Sequence, residues 1–175
     1  KRKKLYHILS YGRLSKEKNL ILLLRAFGQL GKIDYKLNIL GNGEQRNFLD
    51  KEIKIRKLQN KVKIVKYQNN SHKYFIKSDL FINSSHFEGF PNSVVEAINF
   101  NIPVISSKSG GGINEILLNG KGGYLFENNV LNDLIKKIKL FFHDSNIFFE
   151  KAYFAKKGLK RFLLKNSVRN YEKII

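Results

Sequence analysis

Along the chain, short runs of β-branched and aromatic residues alternate with segments whose apolar positions recur every three or four residues. The run Tyr6 to Tyr11 leads into the turn Gly12-Arg13-Leu14-Ser15. Leu20, Leu23, Leu24 and Phe27 then fall at helical spacing, with Gly31 placed as a C-terminal stop. Residues 37–40 form a second strand, followed by Gly41-Asn42-Gly43 and a charged helix predicted to run through about Leu58. Residues 62–65, 79–83 and 102–106 read as three more strands, and residues 124–126 as a sixth, with helices over 92–100 and 131–142. Beyond Phe126 the pattern is helical only. Leu131, Leu134, Ile135, Ile138, Phe141 and Phe142 form an apolar stripe with Lys136, Lys137 and Lys139 off it. Such a stripe is a core-facing surface, or else the buried side of a helix lying on a membrane. Residues 166–175 are expected to pack back on another domain.

Alternating strands and helices imply right-handed crossovers and a parallel sheet covered on both faces. The predicted fold is therefore α/β and Rossmann-like, with six parallel strands. Ligands of such sheets sit outside the carboxyl ends of the strands, where the loops starting at Gly12, Gly41, Ser84 and Ser107 gather.

Composition narrows the class. The chain has 175 residues, the size of one domain, and 42% hydrophobic with 13% aromatic residues, enough to build a core. No apolar run approaches the roughly 18 residues that span a bilayer, and no secretory signal opens the chain. Cysteine is absent, which excludes disulfides, thiolate metal sites and a cysteine nucleophile, and agrees with the cytoplasm. Methionine is absent too, including at position 1, so residues 1–175 are expected to be a single domain excised from a longer protein. The net charge of +19 invites nucleic acid, an anionic membrane or a phosphorylated ligand. Its lysines are spread along the chain among many Asn and Ile, a mixture that AT-rich coding also produces. No nucleic-acid-binding motif accompanies them. A basic binding module without catalysis therefore rests on charge alone.

Several motifs fall away. Gly41-Asn42-Gly43-Glu44-Gln45-Arg46 starts as a dinucleotide fingerprint, but Arg46 replaces the third glycine, and Lys66 and Tyr67 stand where a ribose-binding carboxylate is needed. Those glycines instead serve a tight turn or a loop that approaches a ligand. His7, His72, His86 and His143 have no metal-ligand spacing, and His86-Phe87-Glu88 lacks the cysteines of a zinc deaminase. Neither Ser84-Ser85 nor Ser106-Ser107 sits in a nucleophile elbow.

Two segments remain. In residues 12–19, Arg13 offers a planar fork and Lys18 a point charge, a pair suited to a diphosphate or simply to solvent. In residues 88–97, Glu88 and Glu96 flank Pro91 and a helix start that Asn92 or Ser93 can cap. Glu96, placed within about the first turn, is also what a helix dipole favours. Glu88 lies among apolar residues, where a charge needs a polar partner. Amides at this helix start suit an anion, and the carboxylates accept hydrogen bonds from hydroxyl-rich groups.

Taken in order, these segments resemble the donor-binding, carboxyl-terminal half of a retaining GT-B glycosyltransferase of family 4, the glycosyl transferases group 1. The resemblance rests on Gly12-Arg13-Leu14-Ser15 with Lys18-Asn19, residues 39–43, residues 62–67, and residues 79–85. It continues through Glu88 to Ala97, residues 102–107, residues 111–116 and residues 119–126. It implies that Arg13 and Lys18 bind the donor diphosphate and stabilise the leaving nucleoside diphosphate without an obligatory metal ion or other cofactor. Glu96 would hold the ribose hydroxyls and Glu88 the sugar, so that Glu88, Arg13 and Lys18 form the catalytic set. Gly12, Gly41 and Asn42 would border the donor, as would the backbone around Gly89, Phe90, Pro91, Asn92, Ser93 and Val94. The loop 66–71, with Tyr67, would face the nucleobase.

The resemblance further implies a UDP-sugar donor and a glycan or polyprenyl-diphosphate-linked acceptor, as in O-antigen or other surface polysaccharide synthesis. The acceptor would be bound by an N-terminal domain that this chain lacks, so that the isolated domain would transfer nothing. The expected location is cytoplasmic, peripheral at the inner face of the membrane, with no nucleic-acid partner. Two departures stand out. Tyr67 replaces a usual glycine, and Asn99-Phe100-Asn101 replaces a common stretch of small residue, cysteine and glycine.

Overall fold

The computed structural model describes residues 5–68 and 70–162. Six strands, β1 (Tyr6–Tyr11), β2 (Tyr35–Leu40), β3 (Val62–Val65), β4 (Leu80–Asn83), β5 (Val104–Ser107) and β6 (Tyr124–Phe126), form one sheet. All pairings are parallel, in the order β3-β2-β1-β4-β5-β6. The helices are α1 (Leu20–Gly28), α2 (Arg46–Ile55), α3 (His72–Ile76), α4 (Asn92–Asn99), α5 (Ile113–Ile116), α6 (Leu131–His143) and α7 (Asn146–Gly158). The strand order reverses between β1 and β4, and this is where an open α/β sheet leaves a crevice for a ligand.

Strand residues alternate between two cores. Ile8, Leu37, Leu80, Ile82 and Ile105 face α1, α2 and α6 through Leu23, Phe27, Leu49, Leu134, Ile138 and Phe141. Leu9, Leu40, Val65, Phe81 and Val104 face the opposite side, against Phe75 of α3, Val94 and Ala97 of α4, Ile113 of α5 and Ala155 of α7. Register keeps the faces apart: Ile8 lies beside both Leu37 and Leu80, and Phe81 beside Val104. Helices as short as the nine-residue α1 are marginal alone, so burial supplies their stability. Leu20, Leu22, Leu23, Leu24 and Phe27 are all buried there, each worth about 1.5–3 kcal/mol.

Element ends differ from the sequence reading for local reasons. The first helix stops at Gly28, capped by the Gln29 amide on the Ala26 and Phe27 carbonyls; Gly31 takes its positive φ of +72° further on in the loop. The charged helix ends at Ile55, not near Leu58. Lys57 adopts φ 56° and donates to Lys54 O, while Leu58 donates back to Ile53 O at 2.9 Å, a Schellman closure. The same closure ends α4: Asn101 (φ 58°) donates to Ile98 O and Ile102 to Ala97 O. Ile102 therefore belongs to the helix stop, and β5 begins only after Pro103, which has no N–H. Asn101 fills the left-handed position that the family pattern gives to glycine, and Asn tolerates that conformation. At the other end β2 starts earlier than expected, at Tyr35. Its ring packs on Phe27 at 4.8 Å, its hydroxyl donates to Phe27 O, and burial pushes its pKa up to about 12. Residues 166–175 lie outside the described residues.

Candidate functional site

The site is assembled at the switch point. After Tyr11 the chain turns at Gly12, and the buried Leu14 clamps this loop to the one after β2: its amide donates to Asn42 O at 2.8 Å and its carbonyl accepts from Gln45 N at 2.9 Å. The contact needs glycine at two positions. A Cβ on Gly41 would lie 1.8 Å from Gly12 O, and one on Gly43 would lie 2.4 Å from Leu14 O. Glycine at both positions thus permits the close approach of one loop to the other.

A short 3-10 turn, Lys16–Lys18, then directs Lys18 across to the loop after β4. Lys18 Nζ lies 2.6 Å from Glu88 Oε1, and the Ser85 hydroxyl reaches the same oxygen at 2.6 Å. Glu88, with a side chain only 10% exposed, thereby has the polar partner that its apolar surroundings require. Ser85 Oγ also lies 2.8 Å from Asn83 Oδ1, so its one proton chooses between two acceptors. Around this pair the two loops are stitched together: Ser84 Oγ donates to Lys18 O, His86 N to Glu17 O, and Ser107 Oγ to Ser85 O. Arg13 remains exposed on the rim.

The helix start differs from expectation. Pro91 occupies the cap position, and neither Asn92 nor Ser93 makes a side-chain cap. Glu96 is the fifth residue of α4, beyond its first turn, so dipole stabilisation does not account for it. Its half-buried carboxyl is pushed above the usual carboxylate range by desolvation, with His72 pulling it partly back. In turn, burial and the Glu96 charge raise the Tyr11 hydroxyl. The Tyr11 ring stacks near-parallel with Tyr67, centroids 6.3 Å apart, and the Tyr67 amide donates to Asn42 Oδ1 at 3.3 Å.

These elements enclose a cleft of about 650 Å³. Every expected donor-site residue lines it except Gly89 and Val94. Val94 is fully buried in the core, and its amide is engaged by Pro91 O at 2.9 Å; the Asn92 amide likewise donates to Phe90 O. The backbone amides of 92–94, expected to face the donor, are therefore partly spent in closing the turn. Sequence reading missed Tyr11, Ser15, Glu17 and Phe87, which also line the cleft. Tyr11 was within reach, since it ends the central strand at its carboxyl end. Among the described residues, no group of three or more His, Cys, Asp or Glu side chains is placed to hold a metal ion.

Several solved structures share this fold. The C-terminal domain of a glycosyl transferase group 1 protein, LpcC of Francisella tularensis, superposes with a TM-score of 0.77 at 23% identity, over 89% of this chain and 84% of that one. HepE of Anabaena, solved in complex with UDP, matches with a TM-score of 0.85 at 22% identity, over 97% of this chain and 48% of that one. The fold is thus an α/β, Rossmann-like six-stranded parallel sheet that matches GT-B glycosyltransferase structures. Within that class the chain belongs to the family "Glycosyl transferases group 1", whose model matches residues 1–161. A curated relative is the N-acetylgalactosamine-N,N'-diacetylbacillosaminyl-diphospho-undecaprenol 4-alpha-N-acetylgalactosaminyltransferase of Campylobacter jejuni. It is 36% identical over 146 residues, 83% of this chain, but the match spans only 39% of that protein's length.

Proposed function

We propose that residues 1–175 are the carboxyl-terminal donor domain of a retaining, UDP-sugar-dependent glycosyltransferase. It transfers a hexose or N-acetylhexosamine to a glycan or polyprenyl-diphosphate-linked acceptor in bacterial surface polysaccharide or glycoconjugate synthesis. The observation that carries this reading is the convergence of Arg13, Lys18, Glu88 and Glu96, from two separate loops and a helix, on one cleft at the switch point. The relative's diphospho-undecaprenol-linked acceptor supports the acceptor class, and the UDP held by a structural neighbour supports the nucleotide.

In this mechanism Arg13 and Lys18 supply two positive charges to the donor diphosphate, and their attraction grows as the leaving UDP gains charge. Two cations that turn to the diphosphate do this without a divalent ion, so the proposed reaction is metal-independent and needs no resident cofactor. Glu96 accepts hydrogen bonds from the ribose hydroxyls and Glu88 from the sugar. Tyr67 covers the base. The acceptor is held by a second domain, and the assembled enzyme works in the cytoplasm at the inner face of the membrane.

Calorimetric titration of the chain with UDP and UDP-sugars tests the donor assignment. Saturable binding that weakens in Arg13→Ala and Glu96→Ala, the former with the steeper salt dependence, is the expected result. Absence of binding by a folded wild-type chain at millimolar UDP would overturn it.

A further inference from the structure

Helix α7 seats its inner face on the molecule through Phe148, Ala152 and Ala155, all essentially fully buried. Its outer face is of a different character. Phe149, Tyr153, Lys156 and Lys157 recur at intervals of three and four residues and so share one side of the helix, with the single carboxylate Glu150 among them. Tyr153 is 60% exposed, and Phe149 and Phe154 are also exposed. Lys157 Nζ stands 4.4 Å from the Tyr153 ring centroid, over its face. A groove of about 420 Å³ runs between these side chains, lined by Tyr153, Lys156, Lys157, Leu159, Lys160 and Asn99. It shares no residue with the donor cleft.

Large aromatic side chains left in water beside lysines make a surface suited to one environment in particular. At a bilayer interface, aromatic rings enter the headgroup level while lysine stems lie along them and their ammonium groups meet lipid phosphates. Each lysine near an anionic leaflet adds to the attraction. The net charge of +19 supplies the complementary field. By contrast α6, the basic helix singled out by its sequence pattern, turns Leu134, Ile138 and Phe141 inward. Its one exposed large apolar side chain is Leu140, and Lys137 is paired to Asp133.

We propose that the outer face of α7, with the groove at Tyr153, is the surface by which this chain rests on an anionic lipid bilayer. The inference deepens the reading that the enzyme works at a membrane and is independent of the donor assignment. The turn after α7 gives the surface a physical link to the donor cleft, because Phe162 packs edge-on against the cleft residue Phe90 with centroids 5.3 Å apart. A bilayer at α7 would thus hold the cleft close to a lipid-linked acceptor.

The test is sedimentation of the full chain with phosphatidylcholine vesicles, with and without phosphatidylglycerol, alongside UDP titration of the same samples. The expected result is binding to the anionic vesicles only, weakened roughly tenfold or more in Lys156→Gln/Lys157→Gln. Tyr153→Ser should weaken it as well, and Lys136→Gln/Lys139→Gln should leave it unchanged, with UDP affinity the same throughout. All of these positions are partly or fully exposed, so folding is retained and is checked by thermal melting. Wild-type chain that ignores anionic vesicles would sink the membrane reading itself. Vesicle binding that is lost with the α6 pair and kept with the α7 pair would overturn the α7 assignment alone. Equally tight binding to duplex DNA, or self-association in solution abolished by the α7 variants, would also overturn it.

Discussion

Lys18 and Glu88, 70 residues apart in sequence, form a direct ion pair, with Nζ 2.6 Å from Oε1. This pair joins the cationic loop after β1 to the carboxylate loop after β4 across the switch point of the sheet. It also means that the cation assigned to the donor diphosphate has a competing partner inside the same cleft. Donor binding has to draw Lys18 toward phosphate while Glu88 turns to the sugar. The hydroxyl of Ser85, within reach of both Glu88 and Asn83, can follow that exchange.

Glu88→Gln should therefore tighten UDP binding, because Lys18 loses its internal competitor, by a factor on the order of 3–10, while sugar transfer by the full-length enzyme falls. Lys18→Ala should weaken UDP and also lower stability, because a carboxylate that is largely buried loses its counter-ion. That cost is expected at about 1–3 kcal/mol, below the value for a fully buried pair. Calorimetry and urea melts of the single and double variants measure the coupling directly. Additive effects on UDP affinity would show that the pair plays no part in donor binding.

The raised pKa of Glu96 gives a second expectation. Desolvation raises its folded-state pKa above the ordinary glutamate value of 4.5, so the folded chain holds this proton more tightly than the unfolded chain does. Between the two values the native state binds more protons, and stability falls as pH rises through that window. Above it, the cost of the buried charge is constant. Glu96→Gln should hence melt at a higher temperature than wild type at neutral pH, with the difference vanishing below pH 4.5. UDP affinity should drop in the same variant, since an ionised acceptor of ribose hydroxyls has been lost. A variant that melts lower at neutral pH would contradict the desolvation argument.

Glycine positions separate packing from site chemistry. Gly41→Ala forces a Cβ to within 1.8 Å of Gly12 O, a backbone atom that can yield only by moving the loop carrying Arg13 and Lys18. A loss of about 2 kcal/mol or more is expected, together with weaker UDP binding. Gly89→Ala adds a methyl where nothing lies within 4 Å and should leave the melting temperature unchanged. Paired melts and titrations of the two variants check this contrast.

What the sequence made legible was whatever follows from periodicity. Strands buried on both faces, which read as short apolar runs, and helices with one apolar face could be placed to within a few residues, and the loop ends of β1, β2 and β4 lie at the cleft. The misses were of two physical kinds. Helix stops at Lys57 and Asn101 depend on a left-handed residue that is not glycine, and nothing in the apolar pattern marks such a residue. Side-chain pairings across the fold, such as Lys18 with Glu88 or Tyr11 with Tyr67, depend on three-dimensional approach. Lys18 and Glu88 were each singled out for separate tasks, yet nothing in the linear pattern shows that they neutralise one another.

The stacked pair Tyr11 and Tyr67 carries the last prediction. Tyr67 stands where relatives of this pattern usually have glycine, and its ring, 50% exposed, lies near-parallel to Tyr11 with planes 12° apart. Its amide is held by Asn42, so the backbone of this loop is fixed independently of the ring. Removing the ring in Tyr67→Ala should therefore cost little stability while exposing one face of Tyr11 and removing aromatic area from the base end of the cleft. An aromatic contact of this kind is worth about 0.5–1.5 kcal/mol, or roughly a 2–10-fold weaker affinity for UDP. Tyr67→Phe should restore it, because stacking needs the ring and not the hydroxyl. Comparing UDP with uridine-free diphosphate in both variants isolates the base: the loss should appear for UDP and be absent for inorganic pyrophosphate. An equal loss for both ligands would place Tyr67 beside the phosphates and move the base elsewhere in the cleft.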